Sequence, residues 1–178
     1  CIHTMWRPRS DIGRIEYRDV QLKYKDDSTA RLDGVTIHVR SPKEAQQKTI
    51  QLGVLHEVQD IECCVATVLK TFIDNTRNVR LSLPEDHTLL LKNLKPGTGT
   101  PSSISPTTVA NRVNNHMHAA VIDTKYTAHS IRSAASTKAV LLGNPVNSVK
   151  QHANWSLDGN TFEKYYYKPP MQLRNSTQ

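Results

Sequence analysis

His129 and Arg132 stand three residues apart in TKYTAHSIRSAASTKAV, the stretch from Thr124 to Val140. Residues at that spacing share one face of a helix, so an imidazole and a guanidinium can address one small ligand. The guanidinium is a planar fork of donors that binds two oxygens of a phosphate together. The imidazole takes up and releases a proton near neutral pH. Ser133, Ala134, Ala135 and Ser136 follow, small enough to let other backbone or a ligand come close. An isolated HxxR is usually a helix start with a surface His and Arg, so its company decides its meaning. Downstream stand Trp155 and then Tyr165, Tyr166 and Tyr167; upstream stand Arg7, Ser10 and Asp11, with Lys43 between them and the helix.

The pattern of apolar residues says what must hold these groups. WRPRSDIGRI (Trp6 to Ile15) reads as a turn leading into a short helix, with Pro8 presetting the turn and Ser10 or Asp11 able to cap. IEYRDVQLKY (Ile15 to Tyr24) is rich in strand formers. Val35, Ile37 and Val39 alternate, SPKEAQQ turns and Thr49 to Leu52 return, which predicts a β-hairpin with Lys43 in its turn. Ile61, Val65, Val68, Leu69 and Phe72 form a helical stripe across Asp60 to Asp74. Lys95 to Pro106 is a polar loop, and Ser105 with Pro106 opens a helix running to about Ile122. The His129 helix is broken by Gly143, Asn144 and Pro145, another runs from there to about Trp155, and TFEKYYY makes one or two turns before Pro169 and Pro170. The expected class is α+β: mainly helical, with a small three-stranded antiparallel sheet near the N-terminus.

The chain has 178 residues, enough for one domain's core. Its formal charge of +7 favours an acidic partner, nucleic acid before an anionic membrane. Cys1, Cys63 and Cys64 form no disulfide framework, and the adjacent pair lies in an apolar run where cysteines pack as small hydrophobes. No apolar run is long enough to span a bilayer, and no signal peptide is evident. Neither a P-loop nor a Cys-pair zinc motif is present. His116 and His118 in HMH fall on roughly opposite sides of a helix, so they read as solvated or DNA-facing rather than metal-binding.

The order of these groups resembles the catalytic domain of the tyrosine recombinase (phage integrase-like) family, from about Trp6 to Pro169. The matching stretches are WRPRSDIGRI, VRSPKEAQQKTIQL, AHSIR, HANW and TFEKYYYKP. RPRSDI and TFEKYYYKP look most like recombinases of eukaryotic mobile elements of the DIRS-like retrotransposon and Crypton type. The resemblance implies residues 1–170 as a catalytic domain, truncated at its N-terminus and lacking the core-binding domain, and residues 171–178 as a flexible tail. It implies double-stranded DNA as partner, a homo-multimer on that DNA, no membrane and no small-molecule substrate. The expected compartment is the nucleus for a eukaryotic mobile element, otherwise the cytoplasm or nucleoid.

What the resemblance implies for chemistry is phosphodiester exchange. A tyrosine attacks a DNA phosphorus, leaving a 3′-phosphotyrosyl bond and a free 5′-hydroxyl, and a second hydroxyl reverses the step on a new partner strand. Bond energy stays in the protein–DNA link, so no cofactor, metal or ATP is implied. Arg7 and Arg132 would clamp the non-bridging oxygens, with Arg9 the rival to Arg7 because two residues, not one, separate Arg7 from Ser10. His129 would be the base, and Lys43, with Lys48 its rival, would protonate the leaving oxygen. Trp155 would donate its indole N–H to a phosphate oxygen and pack on the tyrosine helix, and Asp11 would support the first Arg. The family step from this Trp to the nucleophile lands on Lys164, so the SLDGN loop must shift the tyrosine to Tyr165 or to Tyr166, the latter four residues after Phe162 and slightly favoured. Arg9, Lys150, His152, Lys164 and Lys168 are expected on DNA. Three other readings stay open: a non-catalytic DNA-binding remnant, a type IB topoisomerase-like enzyme, and a basic RNA- or protein-binding module.

Overall fold

A computed structural model describes residues 1–25, 31–40, 48–54, 63–95 and 97–169. The hairpin turn that carries Lys43 lies outside the described residues. Three strands, β1 (Val20–Tyr24), β2 (Leu32–Val39) and β3 (Lys48–Gly53), make an antiparallel sheet in the order β1-β2-β3. The β2–β3 register pairs Ile37 with Ile50 and Val39 with Lys48, the antiparallel return that the alternation predicts. Val35, Ile37 and Val39 are buried on the core side, against Trp6, Ile15, Ile73 and Leu89. The strand formers before Val20 do not all join the sheet: Tyr17–Asp19 is a 3-10 turn. Asp19 is buried there, and its carboxylate takes a bond from Arg40 Nε at 2.5 Å.

Helix α1 (Val65–Arg80) runs past the end expected at Asp74. Its last turns bury polar groups, which hydrophobic spacing does not register. Arg80 Nε donates to Thr76 Oγ1 at 2.9 Å and Nη2 to the Leu89 carbonyl at 2.8 Å, with the guanidinium 4.4 Å from the Tyr17 ring centre. Burial lowers the pKa of that guanidinium. The polar loop that follows contains a two-stranded ladder, β4 (Leu91–Lys92) with β5 (Ser102–Ser103), which the sequence did not suggest. Helix α2 (Pro106–Ala119) starts as expected: Ser105 Oγ accepts the Thr108 N–H at 3.1 Å. It ends before Ile122 because Val121 takes a left-handed φ of 58°.

Two more helices complete the frame, α3 (Ser130–Leu141) and α4 (Val146–His152), and a single π-helical turn, Phe162–Tyr166, follows. Gly143, at φ 91°, stops α3. Asn154, at φ 58°, closes α4 and sends the Trp155 N–H back to the Lys150 carbonyl at 2.8 Å. Met5, Val149, Ala153 and Phe162 form a second buried cluster, flanked by Trp155, Tyr166 and Tyr167. The neighbouring residues Met5 and Trp6 thus enter different clusters, and Arg7 follows directly where the chain is pinned to both.

Candidate active site

Arg7 begins a tight turn that is closed on itself. Its N–H donates to Asp11 Oδ2 at 2.8 Å, and its carbonyl accepts the N–H groups of Asp11 and Ile12, each at 3.1 Å. Asp11 is fully buried, its carboxylate holding the Arg7 N–H, and its side chain makes no capping hydrogen bond to Ile12–Arg14. The turn continues into a 3-10 turn, Ile12–Arg14, whose Gly13 lies against α2. A Cβ at Gly13 would sit 2.7 Å from Pro106 Cα, so only glycine permits this approach. The result is a cleft of about 870 Å³ lined by Arg7, Arg9, Arg14, Asn114, His129 and Tyr166, among others. No aspartate or glutamate lines it among the described residues. Three guanidiniums in such a wall raise the local concentration of anions.

His129 comes to the cleft at the residue before α3, with helical backbone angles. Asn114 on α2 holds it indirectly, its Oδ1 accepting the Ala128 N–H at 2.5 Å. From the far end of the chain, Tyr166 brings its hydroxyl to 3.1 Å from His129 Nε2. The rings meet edge to face, with centroids 5.6 Å apart. The small residues of α3 admit the backbone of the π-turn: Ser133 Oγ donates to the Tyr166 carbonyl, as does Thr137 Oγ1 at 3.1 Å. Thr137 Oγ1 also accepts the Lys168 N–H at 2.9 Å, so the chain leaving the tyrosine is tied repeatedly to the helix that the histidine opens.

Trp155 packs between the aromatic groups, 4.8 Å from the Tyr166 ring centre and 5.0 Å from that of Phe162. Its Nε1 is buried and has no hydrogen-bond partner among the described residues. Arg132 stacks on the indole, 4.0 Å from centroid, and lies 5.6 Å from the Tyr166 ring centre. It is buried, Nη1 donating to the Met5 carbonyl at 2.7 Å and Nη2 to the Ala153 carbonyl at 2.9 Å. Arg132 is not part of the cleft wall that holds Arg7, so these described donors brace the N-terminal segment and α4.

The remaining expected residues divide. Arg9 is exposed on the cleft wall. Tyr165 is 59% exposed, and its ring faces Lys164, whose Nζ is 5.2 Å from the centroid. Lys164 and Lys168 are exposed, and His152 is exposed with Nε2 2.7 Å from the His3 carbonyl oxygen. Lys150 corrects its expectation as a DNA contact. It is 3% exposed, and Nζ donates to the carbonyls of Leu157 at 2.9 Å and Gly159 at 2.6 Å and to Glu163 Oε1 at 3.1 Å. All three ammonium hydrogens are therefore committed inside the protein. The Glu163 carboxyl is held below the usual range by its own backbone N–H and then by Lys150. Lys43 lies outside the described residues, as does the Lys48 side chain.

Asn114, Thr137 and Glu163, which position other groups, and Arg14 on the cleft wall are what reading by residue type passed over. Arg14 had a signal, since it shares the WRPRSDIGRI stretch with Arg7 and Arg9. Among the described residues no cluster of His, Cys, Asp and Glu is placed to hold a metal ion, and no helix is long and apolar enough to cross a membrane.

The fold that carries this site is recombinase-like. A solved structure of XerA recombinase matches 96% of the chain with a TM-score of 0.62 at 18% sequence identity, a likeness of fold. The chain spans about half that recombinase, 51% of its length. No protein-family model and no curated protein matches the sequence.

Proposed function

We propose that this domain cuts and rejoins double-stranded DNA through a covalent tyrosine link, as a tyrosine recombinase of a mobile element. The observation that carries the reading is the 3.1 Å pairing of Tyr166 OH with His129 Nε2 on the wall of a cleft lined by Arg7, Arg9 and Arg14. A nucleophile within hydrogen-bond reach of a base, beside donors for a developing anion, is the arrangement acyl and phosphoryl transfer need. Tyr166 attacks phosphorus while His129 takes the phenolic proton. The 3′-phosphotyrosyl bond forms as the bond to the 5′-oxygen breaks, and Lys43 returns a proton to that oxygen. Arg7 binds the non-bridging oxygens. Arg132, expected on the same oxygens, lies outside the cleft wall and instead holds the Trp155 indole beside Tyr166. Arg9, Lys164 and Lys168 hold flanking phosphates, and multimers assemble on the DNA.

The test uses a randomised pool of duplexes carrying 5′-bridging phosphorothiolates, whose sulfur leaves readily and cannot reverse the attack. The expected product is a covalent protein–DNA adduct mapped to Tyr166 by mass spectrometry. Tyr166→Phe abolishes it with DNA binding retained, and Tyr165→Phe does not. An adduct that survives in both variants defeats the assignment. One observation favours a second reading, a DNA-binding remnant without catalysis: Arg132 is buried outside the cleft wall, with Nη1 and Nη2 each donating to a protein carbonyl. That reading predicts DNA binding and no adduct from any pool.

A further inference from the structure

Among the described residues Lys150 is the one buried ammonium that this mechanism does not use, and it lies where three segments of the site meet. Its carbonyl accepts the Trp155 N–H at 2.8 Å, which fixes the indole that stacks on Tyr166. Its Nζ gathers the carbonyls of Leu157 and Gly159, two residues apart in the turn between Trp155 and the π-helical segment. The third hydrogen goes to Glu163, in the same π-turn as Tyr166 and three residues before it. A buried ammonium is costly without such partners. Each partner here is in, or leads directly into, the segment that carries the nucleophile. A surface lysine bound to phosphate would show the opposite: hydrogens turned to solvent and one flexible anchor.

We infer that Lys150 is a positioning residue: its ammonium clasps the loop and Glu163 so that Tyr166 reaches His129 from within the same chain. The inference rests on the reading of Tyr166 as nucleophile, but the clasp itself is tested separately. Lys150→Met keeps the stem and removes the three donors. A displacement on the order of 1 Å at a reacting group costs about 10²-fold. The adduct rate at saturating phosphorothiolate duplex therefore falls ~10²-fold, while affinity for the same duplex stays within about twofold and its salt dependence is unchanged. A contact to phosphate would do the reverse, weakening affinity and lowering the salt slope by about one; that result overturns the inference.

Because Lys150→Met can unfold the domain, Glu163→Ala provides the second variant, its carboxylate being 44% exposed. It slows adduct formation in the same direction, and Glu163→Gln, which keeps the acceptor oxygen, recovers most of the loss. A merely structural role leaves that recovery unmade. Trypsin cleavage after Lys164, followed by mass spectrometry without DNA, reads the clasp even where no adduct forms. Faster cleavage in Glu163→Ala than in the wild-type chain supports the clasp, and equal rates defeat it. A wild-type chain that gives no adduct defeats the recombinase reading alone.

Discussion

A phenol titrates near pH ~10, so at neutral pH a tyrosine nucleophile depends on the group that receives its proton. In the reaction proposed above, His129 Nε2, 3.1 Å from the Tyr166 hydroxyl, is that group, and its place follows from backbone contacts. Asn114 holds the preceding residue, and Thr127 and Ser130 close the turn, the Ser130 N–H donating to the Thr127 carbonyl at 2.8 Å. His129→Gln keeps a polar side chain of similar reach but cannot accept a proton into a charged form. Adduct formation is expected to fall by ~10²–10⁴-fold, with affinity for the duplex unchanged. The measurement is single-turnover adduct accumulation by the wild-type chain and the variant under the same conditions. A variant with the wild-type rate places the base elsewhere.

The elements place these groups by ending where they do. Asn154 shows it most plainly, since its left-handed φ of 58° stops α4 and turns Trp155 toward Tyr166. Asparagine and glycine tolerate that conformation, while a β-branched side chain meets its own carbonyl. Asn154→Gly should therefore hold the melting temperature, whereas Asn154→Val should lower stability by roughly 1–2 kcal/mol and slow adduct formation. Thermal melts of the two variants check it, and equal melts would deny the turn its role. Much of this layer was legible. The alternation of Val35, Ile37 and Val39 and the Ser105–Pro106 start were each local signals, and each appears in the fold. So was the order of Arg7, His129, Trp155 and Tyr166 along the chain. What stayed hidden was set by distant polar partners. The Arg132 bond to Met5 spans 127 positions, and nothing in the composition near either residue announces it. The burial of Lys150 was hidden for the same reason: an ammonium reads as a solvated charge until three acceptors from a later loop surround it. The two-residue strands β4 and β5 are too short to leave a period at all.

At the scale of the whole molecule, a net charge of +7 says only that an anion is welcome. The structure distributes that charge unequally. Arg40 is paired with buried Asp19, Arg18 with Glu16, and Lys70 with Asp74, so these cations add little to the field a duplex meets. Arg7, Arg9 and Arg14 line one cleft together. Each phosphate neutralised by such a group releases counterions and contributes about 0.9 to the slope of log affinity against log salt. Arg9→Ala should therefore weaken binding to every duplex alike and lower the slope by about one. Arg40→Ala, which removes a comparable charge from a pair outside the cleft, should leave the slope where it was. Titrations of a labelled duplex at several salt concentrations separate the two. Equal loss of slope from both variants would mean that DNA is held by the overall charge of the surface, with no special part for this cleft. Loss confined to Arg9→Ala would place the duplex across the wall where Tyr166 and His129 meet, since no other described surface joins those cations to that pair.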